Sequence, residues 1–219
     1  MKRSMRLDAL FERARILLDS TLSSPTILTY LEEFGYDLDR IQGGRQRYEA
    51  AWELQLQQQR EYGEQIGATA ERDRLWETAN ATYIKFVKIA RIAFRRDGGV
   101  ATQLGLNGPR RQSLSGWLMQ AQQFYGNALG SDALLAGLAN FGVTPAKLAA
   151  GKAEVDAVAA ADLLQEKEKG EAQEATRKRD AAIDALEEWL GDFSAIVRIA
   201  LEPEPQLLES LGIKEPSEV

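Results

Sequence analysis

Apolar residues recur at spacings of three and four along most of the chain, the period of helices that bury one face. Leu7, Leu10, Phe11, Ala14, Leu17 and Leu18 form such a stripe and predict a first helix over about 5–20; a similar stretch covers 111–129. A short helix with Ile27, Leu28 and Leu31 on its apolar side follows, opened by Ser23 or Ser24 as cap and Pro25 in the first turn. Gly35 and Gly142 stand where short helices end, a position that commonly needs positive φ.

Long helical patterns then start at Asp37 and at Thr144-Pro145 and run without proline to about Arg96 and Leu201. One helix over either stretch would be roughly 85 Å long at 1.5 Å per residue. The sequence is therefore read as two hairpins of helices of about 25–30 residues, a common size for a helix pair in a bundle. The expected turns are 63–68 and 170–175, where Gly63-Glu64 and Gly170-Glu171 stand. The last long segments carry the clearest seams: Ile183, Leu186, Leu190, Phe193, Val197 and Ala200, and likewise Trp76, Ala79, Tyr83, Phe86, Ala90 and Ala93. A short apolar tail follows each, with Leu207, Leu208, Leu211 and Ile213 in the second.

These parallels share one register. Ile89-Ala90-Arg91-Ile92-Ala93 returns 107 positions later as Ile196-Val197-Arg198-Ile199-Ala200. The same offset pairs Phe34-Gly35 with Phe141-Gly142, Gly44 with Gly151, Phe86 with Phe193 and Leu104-Gly105 with Leu211-Gly212. A single ungapped register over the whole length reads as a tandem duplication. The fold class expected is all-α: a tandem duplication of a helical unit, with long antiparallel helices packed as an elongated bundle. The expected units are 1–107 and 108–219, divided near Gly108-Pro109 and packed as one compact or pseudo-twofold body. The pattern Trp189-x-x-x-Phe193, then Arg198-Ile199-Ala200-Leu201 and Leu207-Leu208-Glu209-Ser210-Leu211-Gly212-Ile213, resembles uncharacterised bacterial helical proteins, and that resemblance implies no activity.

Composition narrows the chemistry. The 219 residues contain no Cys and no His, which removes disulfide scaffolds, thiol nucleophiles, His general bases and nearly all transition-metal sites. No nucleophile elbow, P-loop or Ser-x-x-Lys pattern is present. No signal peptide is read at the start, no apolar run is long enough for a membrane span, and a cytoplasmic location is expected. Glu61 and Glu64, like Glu168 and Glu171, lie three apart on a helix face, but among Gln, Lys and Arg they read as solvated surface. No catalytic residue, cofactor or metal is expected.

The net charge is -6, yet it is uneven: residues 1–107 carry 16 basic and 15 acidic side chains and 11 of the 17 aromatics. Lys85, Lys88, Arg91, Arg95 and Arg96 are the densest basic cluster, and the second half has only Arg198 to match it. Arg91 and Arg198 each read as a guanidinium whose stem lies on the core at a helix end, or else as an anchor for a carboxylate. The acidic total and the lack of a stacking platform make nucleic acid an unfavoured partner. The expected role is structural or protein–protein interaction through this basic patch, with homo-oligomerisation open. The alternative is a small-molecule pocket or enzyme with Tyr48, Trp52, Tyr83 and Arg91 enclosed between the repeats.

Overall fold

A computed structural model describes residues 2–213, with side chains from residue 6 onward. The chain is a bundle of packed α-helices: α1 (Lys2–Ser23), α2 (Pro25–Glu32), α3 (Leu38–Ala93), α4 (Gly98–Gln103), α5 (Leu114–Leu129), α6 (Asp132–Ala139), α7 (Pro145–Ala200) and α8 (Gln206–Ser210). No strand is present among the described residues.

The caps are those the sequence suggested. Ser24 Oγ accepts from the Ile27 amide, with Pro25 in the first turn of α2. Thr144 Oγ1 accepts from the Lys147 amide at the start of α7. Gly35 and Gly142 have φ of 75° and 74°, and Gly105 and Gly212 have φ of 64° and 70°, so all four fill the left-handed position that ends a helix.

The expected hairpins do not form. α3 and α7 are each one uninterrupted helix of 56 residues. Gly63, Gly67 and Gly170 keep negative φ, and a β-carbon at any of them would meet open space. Glycine costs a helix only about 1 kcal/mol relative to alanine. Without a proline or a left-handed residue, nothing in 63–68 or 170–175 stops the hydrogen-bond ladder.

Two compact units result. The first comprises 1–62 and 171–219, the second 63–170. This division differs from the units 1–107 and 108–219 expected from the sequence, because each compact unit takes segments from both halves of the chain. In the first unit Phe11, Leu17, Leu18, Ile27, Leu31, Tyr36 and Ile41 pack with Leu186, Leu190, Phe193, Val197, Leu208 and Leu211. In the second, Ala79, Tyr83, Phe86, Val87 and Ala90 pack with Trp117, Phe124, Tyr125, Leu138, Leu148 and Val158. Within each unit the final turns of one long helix lie beside the first turns of the other.

The mid-helix glycines Gly44 and Gly151 have a different role from Gly63. At Gly44 a β-carbon would enter the Trp189 ring, and at Gly151 it would sit 2.8 Å from Cε1 and Cζ of Tyr125. Both glycines are buried and let an aromatic ring approach the helix backbone closely.

The buried phenols set an alkaline limit. Tyr125 is fully enclosed; burial first, and then the nearby Glu154 carboxylate, push its hydroxyl well above the ordinary tyrosine range. Burial also raises Tyr83, against the opposing fields of Arg91 and Arg110. Both native phenols hold their protons at a pH where the unfolded chain loses them, at about 10 and above. Native stability therefore falls as pH rises through and beyond that point. An ultraviolet titration of tyrosinate should find that Tyr83 and Tyr125, of the 6 tyrosines, stay silent until the chain unfolds. All six titrating together with the helices intact would contradict the packing described.

Candidate docking cleft

The second unit contains an open cleft of about 360 Å3 lined by Asp73, Trp76, Glu77, Asn80, Ile84, Arg110, Arg111, Gln112 and Trp117. The α3 residues follow spacings of three and four, so they form one helix face. The other wall is the segment between α4 and α5 together with the first turns of α5. Ser113 caps α5 by accepting from the Gly116 amide. Gly116 has no side chain, and a β-carbon there would sit 2.9 Å from Arg111 Cδ, so the glycine lets the arginine stem lie against the helix start.

Trp117 is buried beneath the cleft and donates its indole N–H to Asn80 Oδ1 at 2.9 Å. Its ring meets Trp76 edge-on at 6.1 Å and Tyr83 at 6.1 Å. Trp76 is only partly buried, yet its Nε1–H is shielded from solvent and has no acceptor. Arg110 and Arg111 are exposed and their guanidinium groups make no hydrogen bond or ion pair with described residues. Across the cleft Asp73 accepts from Arg72 at 2.7 Å, and Glu77 is exposed.

Lys85, Lys88, Arg95 and Arg96 are all exposed and make no hydrogen bond or ion pair with described residues. Arg91 differs. Its Nε and Nη2 donate to the Leu106 carbonyl at 3.2 and 2.9 Å, and Nη2 reaches the Gly108 carbonyl at 3.4 Å. Arg91 thereby fastens the chain that leads into Arg110 and Arg111. Lys88 and Arg91 continue the α3 face that carries Asn80 and Ile84, and Arg95 follows in the turn after α3. Arg198 is exposed in the first unit.

The four residues of the alternative pocket are not gathered within either unit. Tyr48 and Trp52 belong to the first, where both pack edge-on against Phe11. Tyr83 and Arg91 belong to the second, and Tyr83 sits in filled core against Trp117, Phe124 and Tyr125. Of the surface glutamates, Glu61 and Glu171 lie in the first unit with carboxylate oxygens within 4.8 Å, while Glu64 and Glu168 fall in the second.

At the corresponding α7 turns the first unit has only a smaller hollow of about 200 Å3, lined by Arg6, Leu7, Asp180, Ile183, Asp184 and Glu187. Arg6 and Glu187 approach to 3.8 Å there. In the shared register Ile183 stands for Trp76, Glu187 for Asn80 and Leu10 for Trp117. The Trp76–Trp117 pair thus has no counterpart at these turns, and the first unit's cleft of about 350 Å3 lies elsewhere, against Phe11, Trp52 and Leu56. The sequence signal that could have found the Trp76–Trp117 pair was the exchange of Trp76 for Ile183 together with the surplus of aromatics in the first half. Among the described residues no helix is long and apolar enough to cross a membrane. No protein-family model, no curated protein and no solved structure matches this chain.

Proposed function

We propose that this protein is a non-enzymatic interaction module, built by tandem duplication, that docks an acidic protein segment on the cationic end of α3. The observation that carries the reading is the set of four exposed cations without a partner among the described residues, Lys85 and Lys88 in the last turns of α3 and Arg95 and Arg96 in the turn that follows it. Several other basic residues on the long helices are engaged: Arg45 with Asp19 and Glu49, Arg72 with Asp73, Arg74 with Glu71 and Arg177 with Glu174. A cluster of bare like charges raises the potential for an anionic surface and speeds encounter with it. In a chain of net charge -6 it also turns one face toward acidic partners.

The duplication is supported by element bounds that keep the register of the sequence matches. α2 starts at Pro25 and α6 at Asp132; α3 spans Leu38–Ala93 and α7 Pro145–Ala200. Because Asp192 and Ala195 replace Lys85 and Lys88 in the second copy, only one copy carries the docking surface.

The test is selection of random dodecapeptides on immobilised full-length protein, with the quadruple variant Lys85→Glu, Lys88→Glu, Arg95→Glu and Arg96→Glu as parallel bait. Peptides of net negative charge should be enriched on the wild type by about tenfold or more over the variant, equivalent to about 1.4 kcal/mol of binding. These positions are exposed, so the variant's melting temperature should stay within a few degrees. No enrichment, or equal enrichment on both baits, overturns the reading.

A further inference from the structure

We infer that the Trp76–Trp117 cleft is the anchor pocket of this docking surface and receives one large aromatic or aliphatic side chain from an acidic peptide. The inference rests on the docking reading above and adds the residue that fixes the peptide's register.

Two features point to such an occupant. The cleft presents the exposed part of Trp76, whose ring otherwise packs against the second core, beside the half-buried Ile84. Trp76 Nε1–H is shielded from solvent and has no acceptor, so the cleft offers an occupant the ring of Trp76 and not its N–H. Arg110 and Arg111 stand on one rim with no partner among the described residues, Lys88 continues the α3 face beyond Ile84, and Arg95 follows in the turn after α3. An apolar anchor with cations along one rim is complementary to a hydrophobic residue with carboxylates on that side. Aromatic and arginine side chains at a desolvating centre are those on which interface energy concentrates. Asp73 and Glu77 on the opposite rim repel the flanking carboxylates and so give the peptide a direction.

The probe is acetyl-Glu-Glu-Phe-Glu-Glu-amide, compared with the same peptide carrying alanine at the centre. Each is titrated into the 15N-labelled full-length protein. The 4 tryptophans give separate indole N–H signals, and Trp52 and Trp189 lie in the first unit as internal controls. Addition of the phenylalanine peptide should move the Trp76 and Trp117 signals and leave Trp52 and Trp189 in place. The alanine peptide should bind about tenfold more weakly, the usual scale for losing an anchor side chain. The double variant Arg110→Ala, Arg111→Ala touches only exposed loop positions and should weaken the phenylalanine peptide by a factor of about five or more.

If both peptides bind equally and the Trp76 and Trp117 signals stay still, the anchor pocket is refuted while the acidic-partner reading stands. Signals that move but are unaffected by reversing Lys85, Lys88, Arg95 and Arg96 support the pocket and refute the docking surface. Binding of neither peptide refutes both.

Discussion

Truncation of Phe193 to alanine is expected to lower unfolding free energy by about 3–5 kcal/mol, the cost of deleting a buried phenyl group and leaving a partly collapsed cavity. Phe193 is wholly inaccessible. Its ring lies 4.7 Å from that of Trp189 on the same helix and 5.2 Å from that of Tyr36, which precedes α3. It therefore joins the end of α7 to the start of the chain. The measurement is a denaturant titration, in which the midpoint should fall with little change of slope. Ile199→Ala is the control: Ile199 is 53% exposed, so its loss should stay within about 0.5 kcal/mol. If Phe193→Ala cost no more than the control, the core of the first unit would not be as described.

Gly170→Pro should cost about 3 kcal/mol or more, because proline removes one ladder hydrogen bond and its ring collides with the carbonyl four residues earlier. Gly170→Ala should do the reverse. Gly170 has helical φ and open space where a β-carbon would go, so alanine should stabilise by about 0.5–1 kcal/mol. The pair separates a continuous helix from a turn, since a glycine in a left-handed turn would be harmed by alanine and a loop would tolerate proline. Gly63, with the same open surroundings, should behave alike. Thermal unfolding followed by circular dichroism checks all four variants; a destabilising Gly170→Ala would contradict an unbroken α7.

The helices were readable because their cause is local. Ser24-Pro25, Thr144-Pro145, Gly35 and Gly142 are start and stop signals that act within one turn, and they sit where the sequence placed them. Gly63 and Gly170 were misread because glycine weakens a helix without ending it, and only φ distinguishes the two uses. The composition of the cores was not readable for a different reason. Phe86 and Phe193 occupy equivalent places in the repeated pattern, so periodicity cannot say which of them Tyr36 meets.

The cations at the end of α3 were visible as charge against an acidic background. The cleft beside them was not, because Trp76 satisfies the seam of its own helix and its partners Arg110, Arg111 and Trp117 come from beyond the Gly108-Pro109 break. Bringing the end of α3 against the start of α5 creates the site, so the docking proposal depends on which segments of the chain pack together within the second unit.

That assembly is the central claim, and ring-to-ring nuclear Overhauser contacts of Tyr36 in the full-length protein test it most directly. The structure predicts contacts from Tyr36 to Phe193 and Trp189, together with contacts from Tyr83 to Phe124 and Trp117. Contacts from Tyr36 to Phe86, which lies 107 residues before Phe193, would show instead that the first half of the chain closes on itself, and would contradict both the continuous helices and the cleft built from them.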